Sequence, residues 1–177
     1  MRARILIVAI ATGALTLGIA SAASANATGT TTATVTVTGG SLSITVPTDA
    51  GNLGTRANSV LGGTISGPLG QVQVTDARSA AAGSGWIVTV ISTAFTPPAG
   101  PAIPASNVSY SAGTIVKVGT ATYTANNPGN LTAVNPAVTA TGITGDNSAT
   151  WNPTISVFVA GGMAAGVYSA TITHSVL

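Results

Sequence analysis

The sequence contains no cysteine and no glutamate, a single histidine, and only two Trp, three Tyr and two Phe. Without cysteine there are no disulfide staples and no thiolate metal sites, so the chain has to hold itself together by packing alone. Charged residues make up 5% of it, against roughly 25% in an ordinary soluble domain. A hydrolytic site needs a nucleophile, a base and oxyanion donors. A triad here would have to draw His174 towards Asp49, Asp76 or Asp146, none of which stands in a catalytic spacing. The "GDNS" run at Asp146 lacks the regularly spaced oxygen ligands of a calcium loop. The expectation is a protein that is not an enzyme, with no metal and no cofactor.

Long apolar runs are also missing after the first 25 residues. Those residues have the layout of a secretory signal peptide: Arg2 and Arg4 lead, Ile5 to Ile19 form an apolar stretch, and small residues offer cleavage after Ala22, Ala25 or Ala27. The stretch is shorter than the roughly 20 apolar residues of a spanning helix. No membrane anchor is expected in the mature chain, residues 26–177. Arg2 and Arg4 carry the whole formal charge of +2. What remains is Arg56, Arg78 and Lys117 against Asp49, Asp76 and Asp146, a neutral protein with no basic patch for nucleic acid.

What is present in quantity is threonine, 29 residues of it. Threonine is β-branched and polar, and so suits a pleated strand with one wet face. Alternation of apolar and hydroxyl residues recurs along the chain. Val35 and Val37 alternate with threonines. Leu42, Ile44 and Val46 alternate with Ser41, Ser43 and Thr45, and Gly39-Gly40 between the two runs reads as a hairpin turn. Val72 and Val74 follow, then Trp86, Val88 and Val90 on one side of "GWIVTVIS", and Tyr110, Tyr123 and Val138 in further short runs.

Trp151, Pro153, Ile155, Val157 and Val159 share one side of "TWNPTISVFV", and Tyr168, Ala170, Ile172, His174 and Val176 one side of the last segment. The one short helix candidate is "DARSAAAG", residues 76–83. Many short strands among 22 glycines and nine prolines predict an all-β, antiparallel β-sandwich occupying residues 26–177 as a single domain.

Loops account for the rest. "FTPPAGPAIPAS" is stiffened by four prolines, and "ANNPGNLTAVNP" and "GITGDNSAT" are amide-rich and turn-forming. Asp76 and Arg78 read as a surface ion pair at a strand end, a contact worth about 0–1 kcal/mol. The triplets beginning at Asn26, Asn107 and Asn130 match the Asn-glycosylation pattern.

Trp86-Ile87-Val88 in "SGWIVTVIS" and the closing "GVYSATITHSVL" resemble the two Trp-x-Leu motifs of the WxL domain, a bacterial surface module. Val88 and Val176 stand where that family has Leu, and His174 stands where it has its second Trp. The likeness extends over residues 35–177 and is of a divergent kind, such as Gram-positive actinobacteria export. It implies an immunoglobulin-like β-sandwich that is secreted and binds the cell wall non-covalently through peptidoglycan or another wall polymer. It also implies that Trp86, Val88, Trp151, His174 and Val176 are the wall-binding motif residues. The same five positions read equally as core, and the sequence leaves both readings open.

Two alternatives stand beside wall binding. One is self-association or assembly with other exported surface proteins, through the final strand or the arm Thr28–Thr38, because few charges guard the strand edges. The other is a carbohydrate-binding module with Tyr110, Tyr123 or a tryptophan as a stacking platform.

Overall fold

A computed structural model describes residues 29–177, and the segment read as a signal peptide lies outside the described residues. The chain divides into two units between Thr36 and Val37. Residues 29–36 of the first unit form no regular element. The second unit is built from strands, with one short 3-10 turn at Ala105–Asn107. Among the described residues no helix is long and apolar enough to cross a membrane.

The strands are β1 (Leu42–Thr45), β2 (Gly63–Pro68), β3 (Val72–Ser92), β4 (Val108–Ser111), β5 (Val116–Ala125), β6 (Asn135–Trp151), β7 (Thr154–Val159) and β8 (Ile172–Val176). They form an all-β sandwich of two antiparallel sheets. The larger sheet runs β1-β3-β6-β5 with β8 also on β3, and the smaller runs β2-β7-β4. β3 is long enough, at 21 residues, to take two neighbours on one side. β1 pairs with its first part and β8 with its last, Leu42 opposite Asp76 and Val88 opposite Val176.

The sandwich is one folded ribbon. β2 pairs with β7 from Gly63↔Val159 to Pro68↔Thr154, and the same two chain segments continue into the other sheet as β3 and β6, resuming at Val72↔Trp151. The bend between them is held by the Leu69 N–H donating to Pro153 O at 2.8 Å and the Gly70 N–H donating to Asn152 Oδ1 at 3.1 Å. Gly70 turns there with φ +99°, a conformation that residues bearing a Cβ rarely adopt. The fold over this corner explains why the apolar side of residues 151–159 is continuous in sequence. Trp151, Pro153, Ile155 and Val157 all point into the same interior although the first belongs to one sheet and the last two to the other.

Period-two alternation translates directly into burial. Val72, Val74, Trp86, Val88 and Val90 are buried between the sheets, while Gln73 and Thr75 are exposed and Thr89 is half-buried on the opposite face. Leu42 and Ile44 are half-buried, as are Ile172, His174 and Val176. Backbone pairing continues past β8, since Ile87 and Leu177 exchange both N–H···O bonds at 3.0 Å.

Three sequence expectations are corrected. Residues 76–83 are not helical: β3 runs through them with register shifts against β6 between Asp76, Ala80, Ser84 and Trp86. "GITGDNSAT" is not a loop but part of β6. The two irregular stretches pair with each other, Ala80 opposite Gly145 and Ser84 opposite Ile143, and bulge with Ser79, Gly83, Gly142 and Gly145 at positive φ, so cross-strand pairing outweighs their local preference. Val35 and Val37 belong to no strand, are 90% and 86% exposed, and so do not form a hairpin through Gly39-Gly40.

Candidate functional site

The five motif residues lie on neighbouring strands of the larger sheet. β3 carries Trp86 and Val88, and β8 runs antiparallel beside it with Val176 opposite Val88 and His174 opposite Val90. Trp151 ends β6, the strand on the other side of β3. All five side chains face inwards. Trp86 and Trp151 are 2% exposed and Val88 is fully buried, while His174 and Val176 are half-buried. The rings therefore present almost no area on which a ligand could stack.

Each indole satisfies its N–H inside the protein, as buried tryptophans must. Trp86 Nε1 donates to Asn147 Oδ1 at 3.0 Å, and the Tyr123 hydroxyl donates to the same oxygen at 3.2 Å. Asn147 in turn donates from Nδ2 to Asp76 Oδ2 at 3.2 Å. Arg78 closes the cluster on the carboxylate, with Nε to Oδ1 at 2.8 Å and Nη2 to Oδ2 at 2.9 Å.

The Asp76–Arg78 pair is thus real, but it is not the surface contact at a strand end that the sequence suggested. The Asp76 side chain is completely covered, the Arg78 side chain is 38% exposed, and both sit within β3. The Arg78 side chain, its backbone N–H and Asn147 hold the Asp76 carboxyl down at about 2 against the desolvation that opposes them. Burial, with the charge of Asp76 behind it, raises the Tyr123 hydroxyl above its ordinary value.

The second indole makes a different set of contacts. Trp151 Nε1 donates to the Tyr110 hydroxyl at 2.7 Å, and that oxygen lies 3.3 Å from His174 Nε2. Having accepted from Trp151, the hydroxyl has its own proton free to donate to an unprotonated imidazole nitrogen. Burial drives both titrations away from neutrality. Tyr110 is pushed up to about 12 and His174 down to about 4. Tyr110 is on β4 of the smaller sheet, so this chain of contacts crosses the interior.

Sequence reasoning did not anticipate Asn147 or the pairing of Tyr110 with both Trp151 and His174. The available signal was the requirement that a buried indole find an acceptor. Its partner lies 61 residues away for Trp86 and 41 for Trp151, too far to be read from spacing. Among the described residues no buried side-chain polar atom lacks a partner, and no three His, Cys, Asp or Glu residues gather as a metal site would require. Asp146, considered above as a lone metal ligand, accepts from the Ser79 N–H at 2.9 Å. Of the proposed stacking platforms, Tyr110 is 2% exposed and Tyr123 packs against Trp86 with ring centroids 5.6 Å apart.

The outer face of the larger sheet is one surface open for recognition. Cross-strand register assembles two rows there: Ser43, Thr75, Ser148 and Val118, then Thr45, Gln73, Thr150 and Val116. Farther along β5 and β6, Thr122 lies opposite Thr141 and Thr124 opposite Thr139. These positions bear hydroxyls, one amide and two valines, and no charge. No protein-family model matches the chain, and no match to it is found among curated proteins or solved structures.

Proposed function

We propose that the protein is an exported, non-catalytic surface module, a divergent relative of the WxL domain with an immunoglobulin-like sandwich, that associates non-covalently with peptidoglycan or another wall polymer. The observation that carries this reading is the uncharged hydroxyl face formed by the rows through Thr75 and Gln73. Such a face offers donors and acceptors to a neutral glycan chain and has no ion to attract a charged one. In this reading the motif-like residues have a supporting role: Trp86, Val88, Trp151, His174 and Val176 shape the sheet from behind and leave its outer face to the ligand.

Co-sedimentation of the protein with purified peptidoglycan sacculi tests the reading. Binding is expected at both low and high salt with little difference, because contacts between neutral groups are not screened. Absence from the pellet at both salt concentrations, or binding that disappears as salt rises, overturns it.

A further inference from the structure

Two features go unpaired among the described residues, and they match each other. The first is the segment Thr30–Thr38, "TTTATVTVT". It has the strand pattern of period two, with Ala33, Val35 and Val37 alternating with threonines, yet it is in no ladder. The second is the border of the larger sheet formed by β5, whose far side has no strand partner and accepts no backbone hydrogen bond among the described residues.

Natural sheets protect their borders with short strands, prolines or charges. β1 and β8 are four and five residues long, and β2, at six, includes Pro68. β4 has four residues, and its Tyr110 N–H is taken by Pro128 O at 3.0 Å. β5 is the longest of these borders at ten residues and has no proline; its protection is one charge, Lys117, and an irregular middle, where Gly119 has φ +86° and the register against β6 shifts on either side of Thr120. Val116 and Val118 on it are 65% and 66% exposed.

We propose that Thr30–Thr38 of one copy adds as an antiparallel strand to β5 of a second copy. With Val37 set opposite Val116, Val35 falls opposite Val118, Ala33 opposite Thr120 and Thr31 opposite Thr122, all on the outer face. On the inner face Thr36 meets Lys117, Thr34 meets Gly119 and Thr32 meets Ala121, so no two large side chains collide. Directly opposed side chains in such a pair lie about 4.5–5.5 Å apart at Cβ, close enough for each valine pair to cover itself. The segment spans about 30 Å at about 3.3 Å per residue, the reach of β5.

The topology gives this contact a direction. Thr30–Thr38 leads into β1, and β1 and β5 are opposite borders of the sheet. A copy that donates its segment still offers its own β5, so the contact is heterologous, and linked copies run on as a chain unless the geometry closes them into a ring. The three positive and three negative side chains after residue 25 cancel, so charge does not hold copies apart. This inference is independent of what the outer face binds.

The absence of native cysteine makes the test clean. Val37→Cys and Val116→Cys variants, each at an exposed position, are mixed under mild oxidation, with either variant alone as the control. Disulfide-linked dimer is expected to form at least about tenfold faster in the mixture than in either variant alone, and the double variant is expected to give a ladder of oligomers. Val35→Lys combined with Val37→Cys is expected to reduce trapping about tenfold, in keeping with loss of a cross-strand valine pair and burial of a charge. Its melting curve is expected to match that of Val37→Cys alone.

Equal trapping of Val37→Cys by Ser175→Cys, on the β8 border, overturns the assignment to β5. A double variant that closes on itself as a monomer overturns the intermolecular contact. So does a mixture that cross-links no faster than its components.

Discussion

The two tryptophans anchor two polar clusters that differ in direction and in charge. Around Trp86 the contacts run within one sheet, from Asp76 and Arg78 on β3 to Asn147 on β6 and Tyr123 on β5. Around Trp151 they run between sheets, from β6 to Tyr110 on β4 and back to His174 on β8. The first cluster contains a buried ion and lies where the β3–β6 ladder loses its register, between Asp76 and Trp86. The second is neutral and lies where the ladder is regular. Side-chain contacts therefore replace the ladder where it is interrupted. Where it is intact they tie one layer to the other.

On that division, truncation at the first cluster costs more. Trp86→Ala removes the packing against Tyr123 and opens a cavity, and is expected to lose about 3–5 kcal/mol in a urea melt; a loss below about 1 kcal/mol would break the comparison. Next comes an asymmetry within the ion pair. Arg78→Ala leaves a covered carboxylate without its cation and is expected to cost about 3 kcal/mol. Asp76→Ala leaves a guanidinium that already reaches solvent and is expected to cost less, about 1–2 kcal/mol. Melts of the two variants side by side give the order. Trp151→Phe removes the donor to Tyr110 together with part of the indole's volume, for about 1–2 kcal/mol.

Acid separates the clusters most finely. His174 has a folded value of about 4, below its ordinary 6.5, so between those values the unfolded chain binds more protons and stability falls as pH is lowered from 6.5 to 4. Asp76, at about 2 against 3.8, keeps its contribution down to pH 3.8 and loses it as pH falls further towards 2. Thermal melts across this range are expected to show two successive declines in Tm. His174→Gln flattens only the upper one and Asp76→Asn only the lower, so flattening of the same window by both variants would dissolve the distinction.

Much of this arrangement was legible in the sequence, for a simple reason. A strand with one face in the core alternates, and the runs at Val72–Val74, Trp86–Val90 and Trp151–Val157 do so, with Ile87 the one apolar residue out of step. The failures fall where tertiary pairing overrides local preference. "SAAAG" has the composition of a helix end and "ITGDNS" that of a turn, yet the two are paired with each other, with bulges, across β3 and β6. The opposite failure is Val35–Val37, whose pattern is that of a strand but which finds no strand partner among the described residues. The candidate surface was illegible for another reason: Ser43, Thr75, Ser148 and Val118 form a row only once three registers are known.

The double occupancy of one side of β3 bears on when the molecule can form. Its second neighbour is supplied by residues 172–176, about as far from it in sequence as this chain permits. The ribbon likewise joins Gly63 to Val159. Closing loops of that length comes before any reward from contacts, so folding is expected to be slow, and stopped-flow refolding measures it. Until residues 172–176 are free to pair, the later half of one side of β3 stays empty and the larger sheet is unfinished.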